Sequence, residues 1–565
     1  MKPNTKGLKS HTYDAIVIGT GISGGWAAKE LCERGLKTLV LERGRQVEHV
    51  KDYPTAMQNA WDLPFRGKLS QQELKNYPVQ VRGGFLDQST KHWLVNDLEN
   101  PFNQLKPFDW IRGYHVGGRS LLWSRQCYRL SDLDFEANAK QGIAVDWPIR
   151  YRDIAAWYSK VERFIGISGS RENLPQLPDS EFLPPMALTC LEKQFAERVA
   201  KHFTERRVII GRVANLTESL NGRGPCQYRN LCKRGCPFGG YFSSNSSTLP
   251  AAAATGNMTL RPNAIVKEII FDNRTQKAQG VRIIDTETHE VSEFYAKIVF
   301  LNASTLASTH ILLNSISERF PTGMGNDSGE LGHNLMDHHH GLGAAGWSED
   351  FSEQYHYGRR PNGFYIPRFR NLQEQRKDYI RGYGFQGRGL RGAWAQGESN
   401  LLVGAQLKAQ LRNPGPWRLG INGFGEFLPY HQNKVTLNRE LNDKWGLPTL
   451  DVDCEMKQNE QMMRKDIAAT AVEMLETAGL RNVKIFDRNY VPGNGIHEMG
   501  TARMGRDPKT SVLNGFNQIH AVKNVFVTDG SCMTSSANQN PSLTYMALTA
   551  RAVDFAVAEL NRRNL

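Results

Sequence analysis

The chain has 565 residues, too many for one hydrophobic core, so we expect two structural domains. An apolar content of 40%, with 52 glycines and 25 prolines, is typical of a loop-rich globular protein and argues against a disordered chain. The sequence predicts no transmembrane segment, because no apolar run reaches roughly 18 residues, and no nucleic-acid partner, because the basic residues behind the net charge of +13 are dispersed.

The first predicted element is a strand, turn, helix and strand over residues 16–42. A β-branched strand enters a turn in which Gly19, Gly21 and Gly24 have Gly-x-Gly-x-x-Gly spacing, and a second buried strand ends in Glu42. Such glycines let the backbone approach a pyrophosphate at the helix N-terminus, and the acid is placed to accept a ribose hydroxyl. The unit therefore predicts a dinucleotide-binding site.

Three of the eight cysteines, Cys226, Cys232 and Cys236, cluster in a loop at about residues 222–242. Eight cysteines are too few to cross-link a chain of this length, and the other five are scattered, as small buried residues are. Thiolates at the clustered spacing suit an iron–sulfur cluster or, with a fourth ligand, a zinc ion. Free thiols, or a disulfide with a spare thiol, are the third interpretation.

Farther along the chain, His338, His339 and His340 form a consecutive tract. Consecutive side chains face different directions and no carboxylate triad follows, so we favour a structural role over a metal site. Residues 345–480 then hold aromatic and amide side chains that suit the faces and hydroxyls of a sugar and equally fit an ordinary sheet. They include Tyr355, Tyr357, Phe364, Tyr365, Tyr383, Phe385, Gln386, Gln396, Gln406 and Asn422.

The C-terminal part carries three further motifs. Residues 497–505 read His-Glu-Met-Gly-Thr-Ala-Arg-Met-Gly, a short apolar strand ends in Asp529-Gly530, and Asn540-Pro541 precede a helical pattern over 545–557. Together with the opening fingerprint, these motifs resemble the glucose–methanol–choline (GMC) family of flavin oxidoreductases. The resemblance runs essentially from end to end, and the order of the motifs is the family's order.

The resemblance implies an α/β protein with the GMC fold, which joins a Rossmann-like FAD-binding domain to a mixed-sheet substrate-binding domain. The first part of the FAD-binding domain would span residues 1–344 and carry the cysteine loop as an insertion. Residues 345–480 would form the substrate-binding domain. Residues 481–565 would complete the FAD-binding domain and supply the catalytic His497 and Asn540.

The resemblance also implies which residues contact FAD. Residues 115–126 resemble the family's Gly-Gly-x-Ser loop, which lies along the isoalloxazine ring. Leu122 stands where members such as pyranose oxidase have the histidine that bonds the flavin, so we expect FAD to be bound non-covalently. The cofactor-binding residues implied in this way are Gly19, Gly21, Gly24, Glu42, Gly117, Gly118, Ser120, Trp123, Val266, Asp529, Gly530 and Pro541.

The expected chemistry is the oxidation of an alcohol, which removes a hydroxyl proton and passes a hydride to flavin N5. The proton needs a base whose pKa lies near neutrality, and histidine suits this best. By resemblance, His497 is that base, and Asn540 is the partner that holds the same hydroxyl. A core histidine satisfied by the backbone is the alternative interpretation of His497.

Within the family, the chain looks most like glucoside 3-dehydrogenases and the large subunits of gluconate- and fructose-type dehydrogenases. The resemblance implies a dehydrogenase that oxidises a sugar or glycoside hydroxyl, with C3 of a glucoside favoured over C2, and passes electrons to a cytochrome, quinone or dye. An oxygen-using pyranose or alcohol oxidase and a non-redox flavin-fold lyase are the alternatives.

Some of these dehydrogenases carry a 3Fe-4S cluster in a comparable loop, so the resemblance adds Cys226, Cys232 and Cys236 as expected cluster ligands. Such large subunits pair with a small subunit that carries an export signal. Residues 1–12 are polar and do not form a secretory signal. We therefore expect a periplasmic enzyme that is exported with its partner, with the cytoplasm as the alternative.

Overall fold

The computed structural model of the protein describes residues 11–354, 361–391, 403–412 and 414–565. Tyr355, Tyr357 and Gln396 lie outside the described residues. In chain order the strands are β1 (Thr12–Ile18), β2 (Thr38–Leu41), β3 (Asn103–Gln104), β4 (Ile167–Ser168), β5 (Phe182–Leu183), β6 (Ile209–Ile210), β7 (Met258–Arg261), β8 (Ala264–Asp272), β9 (Lys277–Asp285), β10 (Val291–Leu301), β11 (His338–Ser348), β12 (Phe364–Ile366), β13 (Tyr383–Arg391), β14 (Trp417–Glu426), β15 (Lys434–Asn442), β16 (Pro448–Asp453), β17 (Arg481–Asp487), β18 (Gln518–Ile519) and β19 (Val522–Val527). The helices are α1 (Ile22–Glu33), α2 (Gln71–Leu74), α3 (Asp132–Phe135), α4 (Ala137–Gln141), α5 (Tyr151–Ile165), α6 (Cys190–His202), α7 (Thr248–Ala254), α8 (Thr305–Asn314), α9 (Gly404–Arg412), α10 (Gln458–Thr477) and α11 (Ser542–Asn561).

The first sheet is built on parallel strands in the order β7–β2–β1–β10–β19. Its central strands are apolar on both faces, as parallel strands covered by helices are. Val17 and Val40 pack with residues of α1 and α11, whereas Ile16 and Leu39 face the main core. β18 pairs antiparallel with β19 at one edge, and β8 and β9 extend antiparallel from β10. The Rossmann-like α/β sheet predicted from the opening unit is confirmed.

The second sheet is antiparallel and has the order β17–β11–β14–β13–β12–β6. In β14, buried side chains alternate with more exposed ones, which is the pattern of a sheet with one face on a core. That core is shared with apolar side chains of α6 and α10. Residues 338–344 and 481–487 contribute strands to this sheet from outside the predicted 345–480 domain, and the division into domains stays a prediction.

Several aromatic side chains of this region serve the core. Phe364, Tyr383 and Phe385 are buried in the cluster formed with α6 and α10, and Tyr365 is buried in a stacked pair with Tyr128. Composition alone did not distinguish these positions from a sugar platform, because it does not say which face of a strand a side chain occupies. Among the described residues, no helix has both the length and the apolar character needed to cross a membrane.

Candidate active site

A cleft of about 270 Å³ opens at the carboxyl ends of β1, β2, β10 and β19. This is the edge at which parallel α/β sheets bind their ligands. The cleft brings together most of the predicted site residues, although they are far apart in the chain. Lining it are Gly19, Gly21, Glu42, Gly118, Ser120, Trp123, Val266, Asp529 and Gly530, together with His497 and Asn540.

The glycine turn has two distinct roles. A Cβ on Gly24 would lie 2.0 Å from the carbonyl oxygen of Gly19, so only glycine lets α1 begin this close to β1. Gly19 also has a φ of +99°, which favours glycine. A Cβ on Gly21 would meet open space, which leaves its backbone free to face a ligand. The first turn of α1 carries no acidic side chain, so its N-terminus suits a phosphate.

Three predicted cofactor residues shape the cleft from behind its surface. Besides Gly24, Gly117 has a φ of +89° and packs so tightly that a Cβ would lie 1.6 Å from Asn245 Oδ1. Pro541 immediately precedes α11. These residues position neighbours that do line the cleft, and direct contact of any predicted residue with FAD stays a prediction.

Glu42 is held by the fingerprint turn itself. Its Oε1 accepts from the Gly44 N–H at 2.9 Å, and its Oε2 accepts from the Thr20 N–H at 3.2 Å and from the Thr20 hydroxyl. Burial raises the pKa of Glu42, and the hydrogen bonds from Thr20 and Gly44 oppose that rise. Thr20 Oγ1 in turn accepts from the Gly117 N–H at 2.9 Å, so the two glycine loops are tied together through one threonine.

Two buried polar groups in the cleft point to a ligand that fills it. The hydroxyl of Tyr545 and Nδ2 of Asn302 line the cleft region and have no hydrogen-bond partner within the described parts of the chain. Unsatisfied buried polar groups are costly, so such groups in a cleft are commonly paired by a bound molecule or water. The donors and the glycine turn therefore fit a bound dinucleotide.

His497, which also lines the cleft, has a defined tautomer. The carbonyl oxygens of Ala537 and Ser536 lie 2.8 and 3.2 Å from His338 Nε2, and because carbonyls only accept, this nitrogen carries the proton. His338 Nδ1 is then the acceptor of the 2.8 Å hydrogen bond from His497 Nδ1. His497 Nε2 is left unprotonated, 3.4 Å from Asn540 Nδ2.

The electrostatic setting also keeps His497 neutral. Burial lowers its pKa well below the ordinary value, and His338, His340 and Arg119 lower it further. Arg119 lines the cleft and forms a two-pronged ion pair with Glu498, with N–O distances of 3.1 and 3.0 Å. The pKa of His497 therefore lies below the near-neutral value that the sequence led us to expect of the base. At pH 7 its Nε2 is unprotonated and can accept a proton.

The loop before His497 is organised by the buried carboxylate of Asp337. Its Oδ2 accepts from the N–H groups of Gly493 and Gly495 at 2.8 and 2.9 Å and from the Tyr490 hydroxyl at 2.7 Å. Its Oδ1 accepts from the His497 N–H at 3.1 Å. Four donors on one carboxylate therefore fix the backbone that carries His497. Sequence reasoning missed both Asp337 and the role of its neighbour His338.

The three consecutive histidines face three different environments, as expected. His338 contacts His497, His339 packs against Gly425, and His340 Nε2 donates to the Asn494 carbonyl at 3.0 Å. In the described ranges, no group of three histidine, cysteine or acidic side chains is placed to hold a metal ion.

The cysteine loop forms a smaller pocket of its own. Cys226, Cys232 and Cys236 all line it and are free thiols, so the structure does not contain the disulfide of the third interpretation. Burial raises the pKa of Cys226 to about 11. Within the described parts of the chain, the three sulfurs are not grouped as ligands of a metal ion. The predicted 3Fe-4S cluster has no support from this arrangement.

Buried neutral histidines predict a loss of stability in acid. Burial lowers to about 4 the pKa values of four histidines whose ordinary value is 6.5: His92, His115, His310 and His338. Between pH 4 and pH 6.5 the unfolded chain binds more protons than the folded protein. The neutral histidines therefore contribute fully to the free energy of unfolding above pH 6.5, and this contribution is lost as the pH falls towards 4. A well-buried group contributes up to about 3 kcal/mol, and the partly exposed His92 contributes less.

We therefore expect Tm to fall steadily from pH 6.5 to pH 4. His310→Gln keeps a donor for the Pro448 carbonyl, which His310 meets at 2.6 Å, but cannot titrate, so it should reduce this slope. The exposed His202 provides the matched control, since His202→Gln should leave the slope unchanged. Equal slopes for His310→Gln and the unmodified protein, measured by differential scanning fluorimetry, would contradict the prediction.

Comparisons with known proteins agree with this geometry. Two family models described as GMC oxidoreductase match the chain, one over residues 13–340 and one over residues 429–549. The chain is 29% identical to 2-methyl-1,2-propanediol dehydrogenase of Mycolicibacterium austroafricanum, over 96% of this chain and 94% of that protein. It is 25% identical to the fructose dehydrogenase large subunit of Gluconobacter japonicus, over 97% of this chain and 98% of that protein.

Among solved structures, formate oxidase of Aspergillus oryzae superposes with a TM-score of 0.61 at 13% identity, covering 98% of this chain and 99% of that one. This likeness shows that the fold is shared. The N-terminal family model alone spans more than half of the chain and includes the fingerprint turn, Glu42 and the Gly117–Gly118 loop. The chain thus belongs to the GMC oxidoreductase family, whose members are FAD-binding enzymes that act on CH–OH groups.

Proposed function

We propose that this protein is an FAD-dependent dehydrogenase that oxidises a hydroxyl of a sugar or glycoside to a ketone, with C3 of a glucoside as the favoured position. The observation that carries the proposal is the pair formed by His497 and Asn540. It presents an unprotonated Nε2 beside an amide Nδ2, 3.4 Å apart, in a cleft that is also lined by the dinucleotide fingerprint. Two relatives that match nearly the whole chain support the substrate class, since one is named as a dehydrogenase of a diol and the other as a dehydrogenase of a sugar.

FAD would be held by residues that already line the cleft. The turn at Gly19 and Gly21 would receive the pyrophosphate, Glu42 the ribose, and the loop with Gly118 and Ser120 the ring system. When bound there, FAD supplies the acceptor for the hydride that leaves the substrate carbon. Leu122 offers no atom for a covalent bond to the flavin, so binding would be non-covalent.

The residues of the chain perform the proton chemistry. A substrate hydroxyl can donate to His497 Nε2 and at the same time accept from Asn540 Nδ2, which is the recognition pattern of an alcohol. His497 takes the hydroxyl proton as the C–H bond breaks. It also keeps the proton on its own Nδ1, which is hydrogen-bonded to His338. Both ring nitrogens of His497 then carry protons, and both His497 and Asn540 can donate to the carbonyl oxygen of the product.

We further propose that electrons leave to a cytochrome, a quinone or a dye and that the chain works with a small subunit that exports it to the periplasm. The name of the fructose dehydrogenase relative as a large subunit supports a partner. We leave the cysteine cluster out of the proposal, because the described residues include no group placed to hold a metal ion.

The test is an anaerobic absorbance spectrum of the purified holoenzyme, with iron and sulfide assays. Glucose, methyl α-glucoside, gluconate, fructose and 2-methyl-1,2-propanediol are added in turn. We expect flavin bands that bleach with a sugar or glycoside and little hydrogen peroxide when air is admitted. Bleaching only with the diol would move the substrate class to small alcohols, peroxide formation would indicate an oxidase, and no bleaching with any compound would overturn the proposal.

A further inference from the structure

A series of side-chain amides leads from the protein interior to Asn540. Gln126 Nε2 donates to Asn362 Oδ1 at 2.7 Å and to Gln386 Oε1 at 3.1 Å. Gln386 Nε2 then donates to Asn540 Oδ1 at 2.8 Å. The Tyr128 hydroxyl donates to Gln126 Oε1. Gln126 is buried at the cleft wall, and Gln386 is half-buried on β13. These contacts define an amide relay of Gln126, Gln386 and Asn540.

A backbone group determines which atom of each amide in the relay donates and which accepts. The Gly363 N–H donates to Asn362 Oδ1 at 2.8 Å, and a backbone N–H can only donate. Because Asn362 Oδ1 is thereby an acceptor, the Gln126 atom facing it is the donor Nε2. The same reasoning makes Gln386 Oε1 an acceptor and Gln386 Nε2 a donor, so Asn540 turns Oδ1 towards Gln386. Its Nδ2 is left to face His497.

A second series of hydrogen bonds reaches the same pair from the opposite side. The carbonyls of Ser536 and Ala537 fix His338 as an acceptor at Nδ1, and His338 fixes His497 as an acceptor at Nε2. The two series are anchored on different backbone groups, and they meet with compatible polarity. A reversed amide would instead set Asn540 Oδ1 against His497 Nε2, which places two acceptors face to face.

We propose that Gln386, supported by Gln126, is a positioning residue that sets the amide orientation of Asn540. With that orientation the site presents one acceptor and one donor, which matches a hydroxyl and disfavours a group that can only accept or only donate. The kinetic consequence rests on the proposed function, whereas the orientation of the amide is a property of the protein without substrate.

Two substitutions at Gln386 separate positioning from packing. Gln386→Glu keeps the shape and still accepts from Gln126, but its second oxygen can only accept and therefore turns Asn540 Nδ2 away from His497. Gln386→Leu removes the hydrogen bond that orients the Asn540 amide, but it does not impose the reversed orientation. We expect flavin reduction at saturating substrate to fall about 10-fold in Gln386→Leu and about 100-fold in Gln386→Glu. A packing role predicts the opposite order, because glutamate is nearly isosteric.

The matched control uses the exposed Gln375, where Gln375→Glu and Gln375→Leu should leave the rate of flavin reduction unchanged. In an Asn540→Ala background, both substitutions at Gln386 should lose their effect, because no amide remains to be oriented. Persistence of the full 10- to 100-fold losses in that background would show that Gln386 acts by another route and would overturn the proposal.

Neutron diffraction from deuterium-exchanged crystals of the holoenzyme decides the orientation without any substrate. We expect deuterium on the Asn540 atom that faces His497 in the unmodified protein and its absence there in Gln386→Glu. Deuterium on the atom facing Gln386 in the unmodified protein would overturn the inference. If none of the compounds tested above reduces the flavin, the proposed function fails, and this measurement still decides whether Gln386 orients Asn540.

Discussion

Replacement of His497 should lower the rate constant of flavin reduction by about 1,000-fold or more, the upper part of the range for loss of a general base. In His497→Ala, the unprotonated nitrogen that lies beside Asn540 Nδ2 is lost, while the glycine turn that lines the same cleft is untouched. Single-turnover reduction by the best substrate of the panel, followed by anaerobic stopped-flow absorbance, measures this effect. Substrate affinity should change by less than about 10-fold, because the interaction acts mainly in the transition state.

Two further observations distinguish a base from a residue that only supports the fold. Added imidazole should restore part of the rate in His497→Ala, since it can enter the space left by the side chain. In the unmodified protein, the rate should be constant above pH 6.5 and should fall only in more acidic solution, because burial lowers the pKa of His497. His202→Gln, on the surface, should behave as the unmodified protein. A His497→Ala rate within 10-fold of the unmodified protein would place the base elsewhere.

Removal of the Asp337 carboxylate should have the largest effect on stability. Asp337→Ala leaves four donors without their acceptor: the N–H groups of Gly493, Gly495 and His497 and the Tyr490 hydroxyl. Buried donors that lose a charged partner cost about 3–5 kcal/mol in total. We expect Tm, measured by differential scanning calorimetry of the holoenzyme, to fall by about 2–4 °C, because a chain of 565 residues has a large entropy of unfolding. The fraction that still folds should also reduce its flavin slowly, because the backbone of His497 loses its anchor.

Asp337→Asn separates the two effects. An asparagine can still accept the three hydrogen bonds that Oδ2 now receives, but its NH2 group must then face the N–H of His497. Its Tm should fall less than that of Asp337→Ala, whereas flavin reduction should fall by at least about 10-fold. The exposed Asp350 lies 3.8 Å from Arg198, and Asp350→Ala should change Tm by less than about 1 °C. An Asp337→Asn variant with unchanged activity would show that this carboxylate does not position His497.

Much of the site follows from local sequence, because its motifs are short and their chemistry is built into adjacent residues. The spacing of Gly19 and Gly24 requires a tight strand-to-helix turn, and the structure shows that both positions lack room for a Cβ. The acid at the end of the next strand, Glu42, follows from the same unit. His497 and Asn540 follow from motifs that resemble those of the GMC family, and the structure places them 3.4 Å apart in the cleft.

Local sequence does not predict contacts between groups that come together only when the chain packs. The cysteine spacing suggested a cluster, yet spacing does not fix how three thiols converge, and in the structure they do not form a metal site. The aromatic side chains of Phe364 and Tyr383 suggested a sugar platform, yet strand pairing directs them into the core. Periodicity identifies a strand but does not say what lies opposite each of its faces.

Local sequence accounts for the Rossmann-like sheet and the dinucleotide fingerprint, since each depends on neighbours in the chain, and the resemblance to the GMC family pointed to His497 and Asn540. The protonation and orientation of that pair are fixed by contacts that form only when distant parts of the chain pack together. Asp337 and His338 stand at the start of β11 and Gln386 on β13, and both strands flank β14, so the pairing of the second sheet brings them towards the 493–497 loop. Hydrogen-bond polarity arises from such non-local contacts, and for this reason no motif in the sequence could reveal it.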